Sequence, residues 1–156
     1  MSNLRFEFFG GPRLLRDNQP IGLSSNSPSD IAFLCMLLWH DIDPLISPPL
    51  LQDWSSASIA NASTAVRSLV GEMAFPKRTL KLQGIATDAD IYRGAFSVSN
   101  ADDLSEDDRA KLLAGLAQHE SDTFLNQITF RGAAYQWRDL VRERIESLHD
   151  ELRRVQ

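Results

Sequence analysis

Three histidines, one cysteine and scattered carboxylates are the side chains here that could support acid–base, nucleophilic or metal chemistry. His40, His119 and His149 lie far apart in the chain and share no spacing of the kind that metal ligands adopt, so they read as surface residues. Cys35 sits inside the apolar run Ile31–Trp39. A single buried thiol builds no disulfide framework, which places the chain in a reducing compartment, the cytoplasm. Asp88 and Asp90 share a turn with no histidine or basic activator beside them in sequence. No phosphate loop, His-Glu-x-x-His, Cys-x-x-Cys or Gly-x-Ser-x-Gly pattern occurs. These residues offer no support for an enzyme, a cofactor or a metal site.

Charge also limits the choices. The chain of 156 residues carries a net charge of −5. Residues 1–100 hold eight basic and nine acidic side chains, a net −1; residues 101–156 hold eight and twelve, a net −4. Strong nucleic-acid binders gather Lys and Arg on one face, and this balance shows no such excess. The N-terminal MSNLRFEFFGG lacks the basic-then-apolar pattern of a secretory signal. Ile31–Trp39 is the longest apolar run, far below the roughly 20 residues that span a bilayer.

The elements that would position these residues follow from local pattern. Leu4–Phe9, Arg13–Arg16 and Ile21–Leu23 read as three short antiparallel strands, with Asp17-Asn18 as a hairpin turn. Ser27-Pro28 with Asp30 opens a helix through Ile31–Trp39, apolar on all sides. Ser47-Pro48 opens a short second helix with Leu50, Leu51 and Trp54. Ile59–Met73 reads as a third helix, whose core face is Ala62, Val66, Leu69 and Met73. Thr79–Leu82 and Ile85–Thr87 alternate around Gln83-Gly84 as a hairpin. A further helix starts at Ser105 with acidic residues in its first turn, Leu112, Leu113, Leu116 and Phe124 forming the apolar side. The last helix runs from Ala134 to Val155, with Arg142/Glu146 and Asp150/Arg154 as ion pairs on its outer face.

In this order the segments FEFFGGPRLLRDNQPIGL, SPPLLQDW, ADIYRGAF and ITFRGAAYQWRDLVRERIESLHDEL resemble the Streptomyces antibiotic regulatory protein class of transcriptional activators. The last segment carries the class's Arg-Gly turn and Trp-x-x-x-x-Arg-x-Arg helix as Arg131, Gly132, Trp137, Arg142 and Arg144. The resemblance implies an α+β fold. A winged helix-turn-helix, made of N-terminal strands, three helices and a C-terminal hairpin, would occupy residues 1–98. The helical start of a bacterial transcriptional activator domain would occupy residues 99–156.

The resemblance also implies a function. The third helix would enter the major groove of duplex DNA, presenting Ser63, Thr64, Arg67, Val70 and Gly71. Lys77, Arg78 and Lys81 of the hairpin would reach phosphates. Four basic groups are few, so binding by one copy would be weak. The stripe Val141, Ile145, Leu148, Leu152 and Val155 must pack on the winged helix, pair with a second copy as a homodimer, or meet a protein partner. Two readings result: a DNA-binding transcriptional regulator that assembles through its last helices, and a degenerate winged-helix interaction module or adaptor with little or no DNA binding.

Overall fold

The computed structural model describes residues 3–23, 26–49, 53–97, 101–116 and 119–154. They form a mixed α+β structure with a four-stranded sheet and four α-helices. The strands are β1 (Leu4–Glu7), β2 (Arg13–Arg16), β3 (Gln19–Ile21) and β4 (Ile85–Thr87), in the spatial order β3-β2-β1-β4. The helices are α1 (Pro28–Ile42), α2 (Ser56–Val70), α3 (Glu106–Gly115) and α4 (Ala133–Arg154).

The first three strands are antiparallel, as alternation and turn chemistry lead one to expect. Leu4, Phe6 and Phe8 point inward in strict alternation. Asp17 and Asn18 take φ of +51° and +66°, the left-handed conformation of a tight hairpin turn. The expected second hairpin is corrected. Thr79–Leu82 is not a strand, and Ile85–Thr87 pairs in parallel with β1, Leu4 facing Ile85 and Phe6 facing Thr87. The 77–84 segment instead docks on the turn after α2: Gln83 N–H donates to Ala74 O at 2.8 Å, and its side-chain amide donates to Met73 O at 3.0 Å.

The helix starts follow their caps. Ser27, Ser55 and Ser105 each accept a hydrogen bond from the backbone N–H three residues ahead, at 3.1–3.2 Å. Because Ser55 supplies the cap, α2 begins three residues before the expected Ile59. It ends at Val70, since Gly71 adopts φ +91°. The expected second helix falls partly on Leu50 and Leu51, outside the described residues. Beside them Asp53 N–H donates to Pro49 O at 2.7 Å, and Trp54 is half-buried against Phe33.

α1 is the centre of the core. Every residue from Ile31 to Trp39 is buried, Cys35 among them, and burial pushes its thiol far above the ordinary range. Trp39 packs edge-on to Phe8 and Phe124, at 5.5 and 5.1 Å between ring centroids. Phe124 lies just past the 3₁₀ turn Ser121–Thr123 rather than on α3. That segment pairs by backbone with the turn after β1: Gly10 N–H donates to Thr123 O, Leu125 N–H to Phe8 O and Gln127 N–H to Gly11 O, at 2.7–2.9 Å. One buried cluster therefore runs from Leu4 to Leu152, across the expected division at residue 98.

Candidate nucleic-acid face and the C-terminal helix

The face of α2 turned to solvent differs from the expected one by a rotation. Its buried residues are Ala62, Ser63, Val66 and Val70, so the inward stripe follows steps of four along 62, 66 and 70. Ser63 and Val70, expected in the groove-reading set, point into the protein. Met73, expected in the core, lies past the helix end and is 75% exposed. Ala57, Ala60, Asn61, Thr64 and Ser68 are among the residues that α2 presents outward, and none carries a charge.

Two of the expected contact residues on this helix are committed internally. Thr64 Oγ1 donates to Ala60 O at 3.0 Å, within the helix. Arg67 Nε donates to Phe75 O at 3.0 Å, and its guanidinium sits 4.9 Å above the Phe75 ring. Arg67 therefore ties α2 to the turn that follows it. Arg16 does likewise from β2, its Nη2 donating to Leu69 O at 3.0 Å.

The 77–84 segment carries the remaining cations. Lys77 Nζ lies 3.3 Å from Glu72 Oε1, an exposed ion pair. Arg78 is exposed with φ +66°, and Lys81 is exposed. The structure thus places Lys77, Arg78 and Lys81 on one exposed loop, while Ser63 is buried and Arg67 is half-buried against Phe75.

The apolar stripe of α4 is covered from within. Val141, Ile145, Leu148 and Leu152 are all buried in the common core, while Val155 lies outside the described residues. Packing on the remainder of the chain is the outcome, and these four side chains offer no surface to a second copy. The outer-face pairs are corrected too. Arg142 turns to Phe124 O, with Nε and Nη2 at 3.1 and 2.7 Å. Asp150 pairs with Arg153 at 3.2 Å.

The arginines of α4 are structural ties that the spacing did not reveal. Arg138 is buried, and its Nη1 donates to Leu125 O and Ile128 O at 3.1 and 2.8 Å. Arg144 donates through Nε and Nη2 to both carboxylate oxygens of Asp43, at 2.5 and 3.0 Å, while lying over Phe96. Asp43 is completely buried just past the end of α1. These contacts lock α4 to the loop before it and to α1.

Two histidines also depart from their expected surface positions. His149 on α4 is buried, and its Nε2 lies 2.8 Å from the hydroxyl of buried Tyr92. Burial, then the charges of Arg153 and His119, pushes His149 down to about 4. His119 is half-buried, and burial lowers it as well. It borders a shallow cleft of about 410 Å³ with Arg5, Glu7, Phe9, Asp88 and Asp90. Burial raises Asp88 to about 6, against the pull of the Phe8 and Phe9 N–H groups that donate to it. Asp90 is engaged by Thr87, through both its N–H and its hydroxyl, and by Arg93. Asp88 and Asp90 thus serve the residues that follow β1 and the β4 edge, while Glu7 pairs with Arg5 and Arg13.

Among the described residues, no group of three or more His, Cys, Asp or Glu side chains is placed to hold a metal ion. No described helix is long and apolar enough to cross a membrane. No protein-family model matches this chain, and no curated protein or solved structure matches it significantly.

Proposed function

We propose that this chain is a winged-helix-derived interaction module that acts through protein contact and reads little or no DNA. The order of three strands, α1, α2, a basic loop and a returning strand is compatible with a helix-turn-helix scaffold in which α2 takes the recognition place. The observation that carries the reading is the outward face of α2, with Ala57, Ala60, Asn61, Thr64 and Ser68, which has no charge to set against phosphate. The helix's one charged side chain, Arg67, is engaged by Phe75. Phosphate neutralisation supplies essentially all of non-specific DNA affinity, so such a face binds DNA weakly. Exposed Met73 and Leu80, just beyond α2, supply apolar surface of the kind a protein partner covers.

The test is fluorescence anisotropy of a labelled duplex, at roughly 25 mM and roughly 200 mM salt, spanning the ~10⁻⁴–10⁻⁶ M range of ordinary non-specific binding. The expected result is no salt-sensitive binding. In parallel, a partner retained by the wild type should be lost by Met73→Ser/Leu80→Ser. The regulator reading retains one observation, the exposed loop with Lys77, Arg78 and Lys81. Salt-sensitive DNA binding that disappears when those three become alanine would establish it and displace the interaction-module reading.

A further inference from the structure

The C-terminal half of α4 is held by an unusual contact for so charged a helix. His149 is 4% exposed, and Tyr92, in the 3₁₀ turn Asp90–Tyr92, is fully buried. The hydroxyl and Nε2 are 2.8 Å apart, and the two rings stack with centroids 6.0 Å apart. Tyr92 also packs on Phe96, Trp39, Phe9 and the His119 ring, so the hydroxyl that His149 meets is set in an aromatic cluster.

We propose that His149 is an acid-sensitive latch: neutral, it holds the end of α4 on Tyr92, and protonated, it releases that end. Protonation turns Nε2 from acceptor into donor, so the contact with the Tyr92 oxygen can persist only in reverse, and it puts a positive charge on a ring that is 4% exposed. The added charge also stands in an apolar cluster that offers it little solvation. Three charged or titratable groups act on His149, and others stand on the elements packed against α4. Arg153 on α4 and His119 after α3 oppose its charge, and Asp150 on α4 favours it. Tyr92 comes from the 3₁₀ turn, its hydroxyl kept neutral by burial and by Asp88. α3 contributes Arg109, which donates to Asp102 O and Leu104 O. The turn Ala101–Asp103, which also touches α4, adds exposed Asp102 and Asp103.

The direction follows from linkage. An unfolded histidine takes its proton near 6.5, whereas His149 in place takes it near 4. The released form therefore gains as pH falls from 6.5 toward 4, by up to about tenfold per pH unit. Asp88 works the other way, since it gains its proton near 6 while folded. It sits at the end of β4, so the latch must be read on α4 itself.

Amide hydrogen exchange at about pH 6.5 and about pH 4.5, corrected for intrinsic exchange, provides that reading. Protection of amides around Leu148–Glu151 should fall up to about 40-fold relative to those around Trp137–Val141. His149→Gln, which keeps a neutral polar group there, should hold the change under about threefold. An equal loss in His149→Gln, or no loss in the wild type, overturns the proposal. If the variant fails to fold, the imidazole C–H resonances of wild-type His149 decide. A midpoint well below 6.5 that coincides with loss of α4 protection supports the latch. A midpoint near 6.5 with protection intact overturns it.

Discussion

Replacing Arg144 by methionine removes both hydrogen bonds that the Asp43 carboxylate receives from Arg144, while retaining an unbranched stem over Phe96. Asp43 is wholly buried, so water cannot readily take over. Stripping one partner from a buried ion pair costs about 3–5 kcal/mol. The Arg144 side chain is 32% exposed, which screens part of the attraction and lowers the expectation to about 2–3 kcal/mol. For a domain of this size that is a drop of roughly 5–10 °C in Tm. Urea unfolding of wild type, Arg144→Met, Asp43→Asn and the double variant forms the cycle that isolates the pair. The single variants should each lose about 2–3 kcal/mol, and the double variant should lose no more than the worse of them. Purely additive losses, or an Arg144→Met effect below about 0.5 kcal/mol, would refute the claim that this pair fastens α4 to α1.

Three other perturbations probe the same framework. Gly11→Ala should abolish folding, because a Cβ there would meet Glu7 O at 2.0 Å, closer than any flexible adjustment allows; circular dichroism of the variant checks it. Arg142→Ala frees Phe124 O from two donors and should cost about 1.5–3 kcal/mol, with amide exchange rising first in residues 124–128. Asp88 holds its proton up to about 6 when folded and only to near 3.8 when unfolded, so its share of stability falls as pH rises between those values. Asp88→Asn should remove that decline from the pH–stability curve measured by denaturant unfolding.

What was legible in the sequence was mainly what local chemistry decides. Ser27-Pro28 and Ser105 mark helix starts because a serine hydroxyl satisfies an orphan N–H wherever the chain goes next. Asp17-Asn18 marks a hairpin because both residues tolerate positive φ. Residues 77–87 imitate a hairpin because alternation fixes which residues face inward and is silent about which strand will pair. Leu82 and Ile85 are indeed buried, but β1 offered Ile85 a parallel partner, and Asp90 then closed the free edge through Thr87. On α2 the choice between Leu69 and Val70 decided the face. Ala62 and Val66 fit either stripe, and the turn at Gly71 placed Met73 outside the helix that would have carried it inward.

α4 shows why charge on a helix says so little about its surroundings. Arg138, Arg142 and Arg144 suggest a solvated face, since a sequence displays guanidinium groups and hides the oxygens they reach. The carbonyls that Arg138 and Arg142 reach belong to Phe124, Leu125 and Ile128, in a segment with no periodic signal of its own. The segment is fixed from the other side by the turn after β1, through Gly10, Gly11 and Phe8. Neither partner makes sense without the other: the loop lacks a helix or sheet to satisfy its carbonyls, and Arg138 Nη1 and the Arg142 guanidinium donate to them. The same logic places His149. Its four-residue offset from Ile145 puts it on the inward side of the helix, where its ring stacks on Tyr92 and burial disfavours its charged form. On the proposed reading, a titrating residue on a core stripe couples the attachment of the end of α4 to pH, with one tyrosine hydroxyl as its counterpart.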